Sequence, residues 1–245
     1  MKDKIKIEKR PHSENLLQLY KIGSLSAFFI AILLVGEIFV YALIPNTDNP
    51  IEIFELFSKS NLLGLLFFDL LGMISYILFI PFILSLFMIL KKSNWALLIW
   101  GTVLFFIGII VFFATNTGFS ILRLSRQFDV ATNPEEINML LASCKTMITF
   151  FDVNAFLVSY VIVSIAWTII SYVMLKDKYF TRISAYAGLF AGLSGLLAEI
   201  IENTLSQYLI VAILFYFLAI VFLIIWLISS GRQLYKLGFK TNMSD

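Results

Sequence analysis

The chain has 245 residues, 60% of them hydrophobic and 14% charged, and its 25 phenylalanines outnumber its 18 lysines and arginines together. That balance excludes a water-soluble domain with a charged shell and leaves an integral membrane protein. The net charge of +2 identifies no partner, because in a bilayer the position of charges carries more than their sum, and the lone Cys144 excludes an internal disulfide.

Six apolar runs, at residues 22–44, 62–90, 95–119, 148–175, 183–201 and 208–230, lie near or above the roughly 20 residues a helix needs to cross the hydrocarbon. They predict an all-α fold: a polytopic membrane bundle of six transmembrane helices between a basic tail (1–21) and a C-terminal tail (231–245), with the membrane domain over 22–230. The first run is too long for a cleaved signal core and is expected to stay as an anchor. An even number of spans puts both termini on one side. The tails and the second and fourth loops hold fourteen of the eighteen Lys and Arg residues, which predicts cytoplasmic termini and a multi-pass protein of the cell membrane. Trp95 and Tyr179 then mark the inner boundary, and Tyr41 and Tyr208 the outer one.

After the first span, Asn49-Pro50-Ile51-Glu52 places a capping Asn, a first-turn Pro and a Glu able to bond back to a free backbone N–H. A short amphipathic helix is expected there, lying on the bilayer surface. The second span carries Asp69, and the third is expected to continue beyond Phe119 through Arg123 to Phe128. A turn at 129–133 returns the chain, and Asn133-Pro134-Glu135-Glu136 repeats the capping pattern. The helix it starts is expected to run into the fourth span, about 42 residues or about 63 Å, so it must protrude, tilt or break. The third and fourth spans thus form an extracellular hairpin extension, with Arg126 facing Glu136.

Charged groups inside the hydrocarbon each cost about 2.5 to 3.5 kcal/mol unless paired or hydrated. Four are present, Glu37, Asp69, Asp152 and Glu199, with Glu202 at the boundary, and the predicted orientation puts all of them in the outer leaflet. In the fifth span Gly188, Gly192, Gly195, Glu199 and Glu202 follow steps of four, three, four and three, so the glutamates share the face on which glycine admits a neighbouring helix. Asp69, Gly72 and Tyr76 align on the second span, Asp152, Ala155 and Ser159 on the fourth, and Thr115, with Asn116 beside it, comes from the third. The expected site is an acidic, partly hydrated cavity opening outward, lined by Glu37, Asp69, Asn116, Asp152, Glu199 and Glu202. The alternative is structural: the same carboxylates bonded to neighbouring helices and fixing their register.

Phe67-Phe68-Asp69 recurs as Phe150-Phe151-Asp152, each followed by Ser-Tyr, and Asn-Thr recurs at 46–47, 116–117 and 203–204, a pattern consistent with three related helical hairpins. The only histidine, His12, is in the amino tail, which rules out histidine-based haem, zinc or Ser-His chemistry in the bundle. Asp69 and Asp152 lack the Tyr-Asp or Gly-x-Gly-Asp setting of intramembrane aspartyl proteases, so no catalytic residue, cofactor or metal is expected. No phosphate loop or nucleic-acid module is present, and Lys2, Lys4, Lys6, Lys9 and Arg10 serve as an orientation signal touching anionic lipid.

The run Phe112-Phe113-Ala114-Thr115-Asn116-Thr117-Gly118-Phe119, with Leu122-Arg123-Leu124-Ser125-Arg126-Gln127-Phe128 and Ala131-Thr132, resembles a family of uncharacterised prokaryotic six-helix membrane proteins known only as a domain of unknown function. The stretch 61–81 around Asp69 and the close of the sixth span at Gly231-Arg232-Gln233-Leu234 are similar to it as well, and the likeness covers roughly residues 19–238. Arg123 and Arg126 stand where the family pattern leads one to expect neutral or acidic residues. The resemblance implies the fold and the membrane location and adds no chemistry. Two functions follow as expectations: binding or transport of a small cationic or amine-bearing ligand or a proton, or a non-catalytic scaffold or sensor acting through the outer hairpin. The lipid bilayer and such a ligand are the expected partners.

Overall fold

The computed structural model describes residues 11–44 and 47–239, apart from the side chains of 11–13 and 206. The readings of the bases at 2–10, of the His12 side chain and of Asn46 lie outside the described residues. Among those described, every regular element is helical: α1 (Pro11–Leu43), α2 (Pro50–Lys59), α3 (Asn61–Phe67), α4 (Leu70–Leu90), α5 (Trp95–Thr115), α6 (Gly118–Phe128), α7 (Pro134–Phe150), a π-helix (Phe151–Val158), α8 (Ser159–Met174), α9 (Arg182–Thr204), a 3-10 turn (Ser206–Tyr208) and α10 (Leu209–Phe239). Six stretches are long and apolar enough to cross a membrane. The first and last are longer than their apolar runs, since α1 already begins at Pro11 and α10 continues to Phe239.

The spans close into a ring in the order α1, α4, α5, α8, α9, α10 and back to α1. Small residues close it: the Ser24 hydroxyl donates to the Gly231 carbonyl at 2.9 Å, and a Cβ on Gly231 would lie 3.1 Å from that of Ala27. Because the start of α1 meets the finish of α10, the first and last described residues lie at one end of the bundle, here the terminal end. The opposite end carries α2, α3, α6 and α7 and is the hairpin end.

Two cores fill the molecule. Toward the terminal end, Phe79 packs against Phe82, Phe105 and Trp167 at ring separations of 6.2, 5.4 and 5.9 Å, and Phe82 meets Trp226 edge-on at 5.2 Å. At the hairpin end Ile53, Phe54 and Phe57 of α2 bury against Ile121 of α6 and Leu140, Cys144 and Ile148 of α7. This differs from the expected surface-lying helix. Fully burying each of these side chains contributes about 1.5 to 3 kcal/mol, and the α6–α7 pair supplies a protein groove for them. Ser125 of α6 ties the docked helix by donating to the Phe54 carbonyl at 3.3 Å. The Asn49 cap forms, accepting from the Ile51 N–H at 3.1 Å, but Glu52 bonds the Asn49 side chain rather than its backbone N–H.

The hairpin turn falls at 129–133 and Asn133 caps α7, as the sequence indicates. Arg126 and Glu136 form no ion pair among the described residues; Asp129 instead accepts from Ser58 of α2 at 2.8 Å, because docking brings α2 against the turn.

The expected continuous spans are interrupted at one level. The second breaks at Phe68 and Asp69, between α3 and α4; the third breaks at Asn116 and Thr117, between α5 and α6; the fourth is helical throughout but passes through the π-helix. Backbone groups freed in hydrocarbon need partners from within the protein. The Asn116 amide supplies two, donating to the Phe68 carbonyl at 2.9 Å and accepting from the Gly118 N–H at 3.1 Å. Thr117 donates to the Met147 carbonyl at 3.1 Å, and Asn154 in the π-helix donates to that of Phe150 at 3.0 Å. One side chain thus bridges two breaks and its neighbour reaches toward the third.

Candidate functional site

Asp69 sits in the break itself. Its backbone is left-handed, with φ 60° and ψ 45°, the only positive φ outside glycine among the described residues. Aspartate is among the few residues that tolerate this region. Its side chain turns onto α4 and accepts from the Gly72 N–H at 3.0 Å, so the carboxylate is the N-cap of the helix that follows. Residue 72 has to be glycine for this geometry, because a Cβ there would fall on the Asp69 carboxylate. Asp69 is 8% exposed.

The other carboxylates reach the same space from other helices. Glu37 comes from α1, with the Ser75 hydroxyl 3.5 Å away, at the limit of a hydrogen bond. Asp152 comes from the first turn of the π-helix and accepts no hydrogen bond among the described residues. Glu199 and Glu202 come from α9. Glu199 is 4% exposed, with the Asn203 amide 3.4 Å from its carboxylate, and Glu202 accepts from the Tyr216 hydroxyl of α10 at 2.7 Å.

The α9 stripe explains the placement of these two glutamates. A Cβ on Gly192 would lie 2.6 Å from the Ser164 carbonyl, and one on Gly195 would lie 2.9 Å from the Ser164 hydroxyl, so α8 and α9 approach backbone to backbone and carry the glutamates inward.

These five carboxylates line one cavity of about 830 Å³ enclosed by α1, α4, the π-helix with α8, α9 and α10. No Lys, Arg or His among the described residues lines it. Four tyrosines do, Tyr41, Tyr76, Tyr160 and Tyr216, and Phe79, Trp167 and Leu223 close it toward the terminal end. Asn116 is the sixth residue expected from the sequence, and it lies apart: its amide is engaged by the backbone at the breaks and does not line the cavity. Arg123 is exposed on α6 and takes no part either. A smaller pocket of about 360 Å³, lined by Thr47, Asp48 and Ile148, shares Phe67 and Asp152 with the large one.

The repeated Phe-Phe-Asp tripeptides mark two of the three interruptions and touch, Phe68 meeting Phe151 edge-on at 5.1 Å. The Ser-Tyr pairs that follow them deliver Tyr76 and Tyr160 to the cavity. Tyr216 and Trp167 are cavity residues that the sequence did not mark, and Tyr41, read from the sequence as an outer-boundary aromatic, lines the cavity as well. For Tyr216 the only available signal was its position across a short turn from Glu202.

No hydrogen bond joins Asp69 to Asp152, and no group of three or more His, Cys, Asp or Glu side chains among the described residues is placed to hold a metal ion. The carboxylates surround a space and do not gather at a point. A ring of this kind, with aromatic faces between its members, can balance the charge of a cation that has some bulk.

A family model described as Domain of unknown function (DUF4386) matches residues 22–231. No curated protein and no solved structure matches the chain.

Proposed function

Because the chain belongs to the DUF4386 family, whose description assigns no activity, we propose a function from the cavity itself: it binds a small cationic or amine-bearing ligand, or a proton. The observation that carries this reading is the meeting of five carboxylates from four helical segments on one cavity without a basic residue. Carboxylates that served only to fix helix register would each be matched by a donor on a neighbouring helix. Asp152 has none and Glu37 has only a long contact of 3.5 Å, while Glu199 and Glu202 share one donor, the Tyr216 hydroxyl of α10.

The reading sets both tails in the cytoplasm on the strength of the Lys and Arg distribution, so the cavity belongs to the outer leaflet of a cell membrane. The floor of Phe79, Trp167 and Leu223 closes the way to the terminal end, which favours an outward-facing binding state. Transport needs that floor to part. In this reading the protein acts as a binder.

The test is calorimetric titration of the full chain in lipid nanodiscs with tetraethylammonium and butylammonium, beside Asp69→Asn and Glu199→Gln. Asp69→Asn retains the capping oxygen and removes only charge. Losing one charged contact weakens binding by about 10- to 100-fold. Affinity unchanged in both variants would refute the proposal.

A scaffold or sensor acting through the hairpin is favoured by one observation, the exposure of Val130 and Met139 on it. Replacing both with lysine removes any association through that surface and leaves cation binding intact.

A further inference from the structure

We infer that the guest is a hydrophobic amine, with its ammonium among the carboxylates and its apolar body on the aromatic floor. This inference rests on the cation reading above and narrows it. The cavity is deeper than its acidic layer. From Asp69 to Phe79 along α4 is ten residues, about 15 Å at 1.5 Å per residue, and both ends of that stretch line the same space. Beyond the acids, toward the terminal end, the walls are Leu34, Phe79, Trp167, Ile220 and Leu223. A bare inorganic ion fills none of that depth, and a polyamine sets a second charge against those walls.

A second observation comes from Trp167. It is 3% exposed, its indole N–H has no hydrogen-bond acceptor, and it is the only cavity-lining residue among those described with such an unmatched buried atom. That donor marks the floor as left for an occupant, a water or a guest atom able to accept, while the Phe79, Ile220 and Leu223 surface beside it takes the apolar body. Between the two levels the cavity is lined by Tyr76 and Tyr160, aromatic rings of the kind that attract an ammonium group.

The approach to the cavity suits the same chemistry. Near the terminal end α1 buries Tyr20, Ser24, Ala27 and Ile30, but no residue of α1 beyond Ala31 is buried. Over that stretch one face of α1, at Leu34, Glu37 and Tyr41, borders the cavity, and the other carries Ile38 and Phe39 outward. The wall is a single helix standing between the cavity and acyl chains, where a hydrophobic amine concentrates.

The experiment titrates butylammonium and octylammonium into the full chain in nanodiscs, with the signal of protein-free nanodiscs subtracted. Each methylene buried on the floor strengthens binding about fourfold, so octylammonium should bind at least tenfold more tightly. Glu199→Gln, with Glu37→Gln as a second variant, should weaken both amines alike. Ile220→Phe takes up room beyond the acids and should weaken octylammonium more than butylammonium. Equal affinity for the two amines, lost in the glutamate variants, would overturn this inference and leave the cation reading standing. A chain-length preference that survives both glutamate variants reports lipid partitioning and also overturns it. No binding of either amine overturns both readings.

Discussion

Asp69 holds a left-handed backbone, caps a helix and places a charge in the cavity, and three substitutions separate these roles. Asparagine keeps a capping oxygen and tolerates the left-handed region, so Asp69→Asn removes the charge alone. Glycine takes that backbone at no steric penalty, and relative to a good cap it loses only a few tenths of a kcal/mol, roughly. Alanine loses the cap, about 1 kcal/mol, and a further ~1 to 2 kcal/mol because its Cβ crowds the next carbonyl in that conformation. All three variants lack the buried charge, so its desolvation cancels when they are compared with one another. The expected order of stability is Asn, then Gly, then Ala, with alanine about 2 kcal/mol below glycine. Unfolding by SDS titration in mixed micelles, followed by far-UV circular dichroism, measures the differences. An Asp69→Ala protein as stable as Asp69→Gly would mean that the break relaxes to ordinary helix, and would refute the account of the site's backbone.

Asn116→Ala gives up the bonds to the Phe68 carbonyl and the Gly118 N–H, each worth about 1 kcal/mol net, and should lose about 2 kcal/mol in the same titration. Asn116→Asp retains an acceptor for Gly118 but sets a carboxylate against the Phe68 carbonyl, so it should be no more stable than the alanine variant. Wild-type stability in either would show that the two breaks hold without their bridge. Gly192→Val forces α8 and α9 apart at the Ser164 carbonyl and should cost about 1 to 3 kcal/mol. Leu193→Val, on the exposed face of the same helix, should stay within about 0.5 kcal/mol, and equal losses at 192 and 193 would count against the packed stripe.

What the sequence disclosed was what local patterns encode. Six apolar runs became six spans, and the steps from Gly188 to Glu202 identified the packed face of α9 because a helix repeats its faces at fixed spacing. The common depth of Glu37, Asp69, Asp152 and Glu199 followed from helix rise and topology alone.

The breaks were hidden. No glycine or proline stands at Phe68, Asp69, Asn116 or Thr117 in the positions that would punctuate a helix unambiguously, and the group that stabilises the first break lies 48 residues away. Asn116 looked like a member of the polar layer for the same reason. An asparagine near carboxylates reads as a ligand group until its amide is seen to be spent on backbone. The destination of α2 was equally hidden, since an amphipathic helix suits a lipid surface and a protein groove equally, and the groove is built from residues about 65 to 90 positions later.

The coincidence of acids and breaks has a physical basis. A helix interrupted in hydrocarbon exposes backbone N–H groups that need acceptors, and a carboxylate placed there needs donors. Asp69 meets both requirements with one bond to Gly72, which makes the break a tolerable position for a buried acid. The result divides the acidic ring into two sets. Asp69 and Asp152 belong to interrupted spans, whose far sides α3 and α7 share the hairpin-end core with α2 and α6. Glu37, Glu199 and Glu202 belong to α1 and α9, which reach the same level without interruption. Tyr76 and Phe113 border both the hairpin-end core and the terminal-end core. On the proposed reading, a guest held between the two sets of carboxylates would touch both the interrupted spans and the straight helices.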